Sequence, residues 1–398
     1  MFCEVCGSQD LTEVLDLGHH PLCDDLKIAG SKEKSQTFKI VIDLCCVCKT
    51  AHQRYQVPKE DLFPRDYHYR SGMTQDVVNG VEDLINGIRS SYSTFDSNTT
   101  ILDIGCNDGT LLDVASKLGA KTFGIEPTNA ALEARTKGHT VYQEYLSEEG
   151  AQRFVDIHGC PDIVSFTNVF AHIEDLQSVL RSLRILLSGS QKQLLVIENH
   201  YLGQILNGNQ FDTFYHEHPR TYSLNSFVFI AKTLQLDILD VDFPRRYGGN
   251  IRVYMGKITR PGKKEWDSIL IQENDFASRF MQMRKFIDNW VDSRRRLISA
   301  MVEQYGEPIR AKAFPGRAAI LLKMLELDSS KIRCIYEKDE SPKVGFQAPG
   351  TDIPIVADNE FDFADNTPII NLAWHIPDEI KDYMRRRGFD SDIINIIE

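Results

Sequence analysis

The stretch Thr99-Thr100-Ile101-Leu102-Asp103-Ile104-Gly105-Cys106-Asn107-Asp108-Gly109-Thr110-Leu111-Leu112 runs from an apolar segment through a glycine-rich turn into a helix-like pattern. Glycines permit a tight turn and let a ligand approach the backbone. The spacing G-x-x-x-G departs from the dinucleotide fingerprint G-x-G-x-x-G. Asp103, just before the turn, would repel a pyrophosphate and would favour a cation or an ammonium group. A dinucleotide-dependent dehydrogenase is therefore disfavoured. The next strand, Lys121-Thr122-Phe123-Gly124-Ile125-Glu126, ends in a carboxylate. In a doubly wound sheet a carboxylate at that edge accepts hydrogen bonds from ribose hydroxyls. Strand-like runs recur at 162–167 and 193–198, separated by helix-like runs, notably Leu176 to Leu187. Such alternation predicts a parallel α/β sheet with right-handed crossovers. Leu234–Phe243 and Asn250–Gly256 flank Tyr247-Gly248-Gly249 and read as an antiparallel hairpin.

With 398 residues the chain is long enough for two or three domains. Its 42% hydrophobic and 26% charged residues are those of a globular protein. The formal charge of −12 disfavours nucleic acid and anionic lipid as partners. No apolar run approaches the ~20 residues of a membrane span, and the N-terminus lacks a signal-peptide pattern. A cytoplasmic monomer acting on a small molecule is expected.

Six of the nine cysteines fall in the first 48 residues. Cys3 and Cys6 form one C-x-x-C, and Cys45 and Cys48 form another at the end of a strand-like stretch, 38–44. Two such knuckles complete a tetrahedron of sulfurs around zinc. A closed site of this kind is structural and supplies folding free energy. Cys46 is placed to replace a neighbour, and Cys23, His19, His20 and His52 are weaker candidates. Residues 58–72 carry two prolines and three aromatics without a helical or strand period, and read as a linker or lid with an aromatic tip that includes Tyr69.

Residues 211–223 read Phe211-Asp212-Thr213-Phe214-Tyr215-His216-Glu217-His218-Pro219-Arg220-Thr221-Tyr222-Ser223. They follow the fifth strand and so reach the ligand-binding edge. H-E-H lacks the i, i+4 pairing of H-E-x-x-H, so a catalytic metal is not expected here.

I-L-D-I-G-C-N-D-G-T-L-L, G-I-E-P and N-V-F-A-H-I-E-D-L together resemble the class I S-adenosylmethionine-dependent methyltransferases. With the cysteine-rich N-terminus and Tyr215-His216-Glu217-His218, the chain is similar over nearly its whole length to the sugar C-methyltransferases. That resemblance implies an α/β fold: a central doubly wound, Rossmann-like methyltransferase domain, an N-terminal zinc-binding domain and a smaller C-terminal α/β domain. The units expected are 1–72, 73–259 and 260–398.

The resemblance places the donor on Asp103, Gly105, Asn107, Asp108, Gly109, Glu126 and Asn168, with Tyr69 of the lid. It implies methylation at C3 of a 4-keto sugar bound to a nucleoside diphosphate. His218 is the leading base and Glu217 its partner or a second base. Tyr215 and Tyr222 are candidates for the enolate contact, and His172 is an alternative base. Asn168, His172, Asn250, Arg252 and Lys343 are carried over to the substrate, Lys343 toward the diphosphate. Thr221 stands where an aromatic is common in the family, and Asn250 where a serine is.

Beyond the helical stretch from Trp266 to about Tyr305, strand-like runs at 332–336, 353–356 and 368–374 predict the second α/β unit. Ala313-Phe314-Pro315-Gly316-Arg317-Ala318 departs from the family's Y-G-A-x-x-K-G, and Leu372-Ala373-Trp374-His375 from L-A-W-N. O-methylation, another small-molecule methylation and a decayed binding module are the competing readings.

Overall fold

The computed structural model describes residues 2–63, 70–73, 75–92, 96–257 and 266–397. The expected lid tip with Tyr69 lies outside them. The N-terminal unit is a sheet of β1 (Leu11–Pro21), β2 (Thr37–Cys45) and β3 (Ala51–Gln53). Its fourth strand is borrowed: Arg220–Thr221 pairs antiparallel with β3, Thr221 opposite Ala51 and Arg220 opposite His52. After each knuckle the backbone turns left-handed, at Gly7 and at Lys49. Residues 58–62 contain a one-turn helix, Lys59–Leu62, that their composition did not suggest.

The central sheet contains β4 (Thr100–Ile104), β5 (Lys121–Ile125), β6 (Thr140–Tyr142), β7 (Ile163–Thr167), β8 (Leu194–His200), β9 (Asp237–Asp242) and β10 (Asn250–Gly256). Their order is β9-β10-β8-β7-β4-β5-β6. β4 to β8 are parallel, and β9 and β10 form the expected antiparallel hairpin along the β8 edge. Side chains alternate across a strand. Ile101 enters a core with Leu84, Ile88 and Leu112, whereas Leu102 and Ile104 join Phe154, Phe166 and Leu180 on the other face. Helix Leu176–Leu186 starts at Asp175, whose side chain accepts from the Ser178 N–H, and buries Leu176, Val179, Leu180, Leu183 and Leu186. That spacing forms a single apolar stripe.

A long helix, Phe276–Tyr305, leads to the C-terminal unit and ends at left-handed Gly306. There β11 (Ile309–Lys312), β12 (Ile332–Glu337), β13 (Ile355–Ala357), β14 (Ile369–Asn371) and β15 (Ile393–Asn395) form an all-parallel sheet, order β13-β12-β11-β14-β15. Phe280, Met283 and Trp290 of the long helix share one core with Leu15 and Ile42 of the N-terminal sheet and Ile309 and Ile335 of the C-terminal sheet. Among the described residues no helix is long and apolar enough to cross a membrane.

Candidate active site and zinc centre

The four Sγ atoms of Cys3, Cys6, Cys45 and Cys48 lie within 4.8 Å of one another. Cys3 and Cys48 are 3.3 Å apart, Cys6 and Cys45 3.6 Å. A zinc–sulfur bond of about 2.3 Å in a tetrahedron separates sulfurs by roughly 3.8 Å, so the cluster fits zinc. His52 Nε2 lies 3.2 Å from Cys3 Sγ and Thr50 Oγ1 3.0 Å from Cys48 Sγ, as outer partners of the ligands. Cys46 contacts Thr12 instead and stands outside the cluster.

The carboxyl edges of the central and C-terminal sheets open onto one cleft of about 730 Å³. At its floor Gly105 is left-handed (φ 70°), and a Cβ there would meet Val169 at 2.5 Å, so the turn requires glycine. Asp103 and Glu126 both line the cleft. Asp103 accepts from Ser165 Oγ at 2.7 Å, and burial raises its carboxyl to about 7. Glu126 accepts from the Asn107 N–H (3.0 Å) with one oxygen and from the Thr128 N–H (2.9 Å) and hydroxyl (2.6 Å) with the other. Asn107 and Asn168 also face the cleft.

Asp108 and Gly109, expected at the donor, do not line the cleft. Asp108 is turned away to accept from Thr110 Oγ1 (2.7 Å) and the Gly72 N–H (3.0 Å). Gly109 is packed against Ala134 and His139. With Asn107 Oδ1, which accepts from the Ser71 N–H at 3.0 Å, Asp108 ties residues 71–72 to the turn.

His172, His218, Tyr215 and Glu217 come together in the cleft. The His218 ring centroid is 4.3 Å from that of Tyr215 and 4.8 Å from that of His172. His218 Nδ1 lies 3.0 Å from the Thr213 carbonyl oxygen, and His172 Nδ1 2.7 Å from that of Glu217. A carbonyl only accepts, so each Nδ1 carries hydrogen and each Nε2 a lone pair. Burial pushes His172 down to about 4 and His218 well below its ordinary range. Both rings are neutral at pH 7. Burial likewise raises Tyr215, which keeps its proton.

Three expected residues lie elsewhere. Tyr222 is fully buried, its hydroxyl donating to the Phe170 carbonyl (3.4 Å) and accepting from Arg220 (3.3 Å). Asn250 donates to Glu198 (2.9 Å) and to Asn168 Oδ1 (3.1 Å), and Arg252 donates to Glu198 at 2.6 Å. These two share one face of β10 and serve the buried Glu198. Asn250 therefore braces Asn168 from outside the cleft lining.

Four other cleft residues were not picked out as site residues from the sequence. His200, at the end of β8, stands 5.2 Å from His218 between ring centroids. Its strand-end position was the available signal. Arg317, Glu337 and His375 reach in from the C-terminal sheet, alongside the expected Lys343. Arg317 is held by Asp212 (3.4 Å) and Thr213 Oγ1 (3.0 Å) and lies over the Trp374 ring at 5.1 Å. Arg317 and His375 fall in the two segments that depart from the family pattern.

Three family models match in chain order: a zinc binding domain at 3–63, a methyltransferase domain at 81–241 and a C-methyltransferase C-terminal domain at 245–390. C-methyltransferase NovU of Streptomyces niveus is 26% identical over 392 residues, 96% of this chain and 91% of that protein. Together the three family matches run from residue 3 to residue 390. A ubiquinone biosynthesis O-methyltransferase of Colwellia psychrerythraea is 34% identical over 104 residues, 25% of this chain and 40% of its own. The magnesium protoporphyrin IX methyltransferase of Synechocystis PCC 6803, solved with bound SAM, covers 46% of this chain and 80% of its own at 14% identity and TM-score 0.35. The chain carries a methyltransferase domain and a four-cysteine cluster whose geometry fits zinc.

Proposed function

We propose that this S-adenosylmethionine-dependent C-methyltransferase acts on a 4-keto sugar linked to a nucleoside diphosphate and methylates C3 through an enolate. The observation that carries the reading is the His218 tautomer. A neutral imidazole with Nδ1–H tied to a backbone carbonyl offers Nε2 to a substrate C–H in the cleft, which suits a general base. Tyr215, packed on the same ring and kept protonated, donates its hydroxyl to the oxygen where enolate charge develops. S-adenosylmethionine supplies an electrophilic methyl group, for which Asp103, Asn107 and Glu126 form the candidate donor cradle. Glu217 holds His172 through its carbonyl, which supports a positioning part for its backbone.

The test is incubation with labelled S-adenosylmethionine and a panel of 4-keto nucleotide sugars. Methyl on C3, with exchange of the α-proton in deuterated water without donor, is the expected result. Methyl on oxygen and no exchange would overturn the reading.

A further inference from the structure

Asp212 and Thr213 are fully buried beside the cleft without lining it. They belong to the one-turn helix Phe211–Thr213. Its aromatic neighbours face the long helix: Phe211 packs on Trp290 (4.9 Å between ring centroids) and Phe214 on Phe280 (5.7 Å). The polar side chains between them meet the C-terminal unit. Asp212 Oδ2 accepts from Trp374 Nε1 at 2.9 Å and pairs with Arg317 Nε at 3.4 Å, and Thr213 Oγ1 accepts from Arg317 Nη1 at 3.0 Å. Arg317 follows β11 and Trp374 follows β14, adjacent strands of that sheet. The loops after both strands thus close on one carboxyl group.

Among the described residues Asp212 Oδ1 has no hydrogen-bond partner. A buried carboxyl with one hydrogen bond and one ion pair adds little stability, because desolvation offsets the attraction. What the arrangement does fix is the Thr213 peptide, whose carbonyl oxygen stands 3.0 Å from His218 Nδ1. The tautomer of an imidazole is set by the bond its other nitrogen makes. A neutral ring that loses such an acceptor carries its hydrogen on either nitrogen, and with hydrogen on Nε2 it has no lone pair to offer the cleft.

We propose that Asp212 and Trp374 are positioning residues for the base: with Arg317 they clamp the Thr213 carbonyl, so that the C-terminal unit holds His218 in the tautomer that presents Nε2 to the cleft. This rests on the reading of His218 as the base. The test uses the full chain with Trp374→Phe and Asp212→Asn. Phenylalanine removes the N–H that Asp212 accepts from and keeps an aromatic ring beside Arg317. Turnover and α-proton exchange are read with the 4-keto nucleotide sugar of the panel above that wild type methylates fastest, and S-adenosylhomocysteine affinity by calorimetry. Nitrogen NMR on isotope-labelled histidine reads the tautomer, with His218 assigned by its loss in His218→Asn. Both variants should lose about tenfold or more in kcat and in exchange, as a displaced reacting group does, with KM and S-adenosylhomocysteine affinity changed by less than about threefold. In both, the His218 nitrogen shifts should leave those of the Nδ1–H tautomer and move toward the mixture of a free imidazole. A residue that only stabilises the fold would lower the melting temperature and leave the tautomer alone. Wild-type kcat and exchange in Trp374→Phe, or a fall in kcat with the tautomer unchanged, overturns the proposal, and Trp374→Phe decides it should Asp212→Asn not fold. Should wild type neither exchange nor methylate, the base reading falls, while the tautomer comparison, which needs no substrate, still decides the clamp.

Discussion

At His218 the role proposed, that of base, is fixed by what its other nitrogen touches. Replacement by asparagine removes Nε2 and keeps a small polar group near the Thr213 carbonyl. We expect His218→Asn to retain donor affinity by calorimetry while turnover falls ~10²–10⁴-fold and α-proton exchange is lost. Exchange at the wild-type rate would move the base to His172. The residue types of this site were legible in the sequence, but side-chain direction was only partly so. Tyr215, Glu217 and His218 sit in one motif with His216 and Tyr222, yet His216 turns to the Phe38 carbonyl (3.1 Å) and Tyr222 into the core. Irregular backbone has no period from which to assign faces. On β10 a period exists, but which face meets the cleft depends on Glu198, a buried acid on β8 that no local pattern reveals. Arg317 and His375 were noticed only as departures from a family pattern, because their nearness to His218 is set by a separate sheet.

Among the elements, the zinc knuckles and the loop 215–223 form one assembly. The Cys48 carbonyl accepts from Ser223 Oγ (2.9 Å), Thr50 Oγ1 meets Ser226 Oγ (2.7 Å), and the Gln53 side chain donates to the Tyr215 carbonyl (2.6 Å). With the Arg220–Thr221 pairing, these bonds bracket residues 215–223 on both sides. The glycine turn is tied instead to residues 71–72, through Asn107 and Asp108. Cys6→Ser, or stripping zinc with a chelator, should therefore lower the melting temperature and reduce turnover while donor affinity changes less than about threefold. Metal analysis, differential scanning calorimetry and titration with S-adenosylhomocysteine on one preparation check this. Parallel loss of donor binding would show that zinc holds the whole chain rather than this loop. Paired C-x-x-C spacing made the metal legible, whereas the partner strand β1 was not: its stretch Leu11–Pro21 mixes charges and histidines, with bulges between Glu13 and Leu15 and between Asp16 and Gly18 that break alternation. β11, Ile309-Arg310-Ala311-Lys312, was not legible because its two charged side chains are buried only through distant partners, Arg310 on Asp365 and Lys312 on Asp358.

On the scale of the whole molecule, the cleft joins units that share a core, so a charge change in the cleft is read out in global unfolding. Burial holds His218 well below its ordinary range, and the Arg317 charge adds to this. In the unfolded chain the ring titrates near 6.5. Below that pH the unfolded chain binds a proton that the folded chain refuses, so stability falls as pH drops through about 6.5 and is retained above it. One such group contributes about 1.4 kcal/mol of loss at pH 5.5. Asp103 acts in the opposite sense: raised to about 7, it takes its proton first in the folded state and adds stability as pH falls below about 7. Asp212 and Glu273, also raised by burial, share that sign. Wild-type melting alone therefore mixes two slopes, but the carboxylates are common to wild type and His218→Gln and cancel in the difference. Between pH 7.5 and 5.5 wild type should lose about 1–2 °C more than His218→Gln, the size a change of this free energy produces in a chain of this length. A difference that stays constant with pH would show that the His218 ring is solvated in the folded protein and that its neutrality at pH 7 owes nothing to burial.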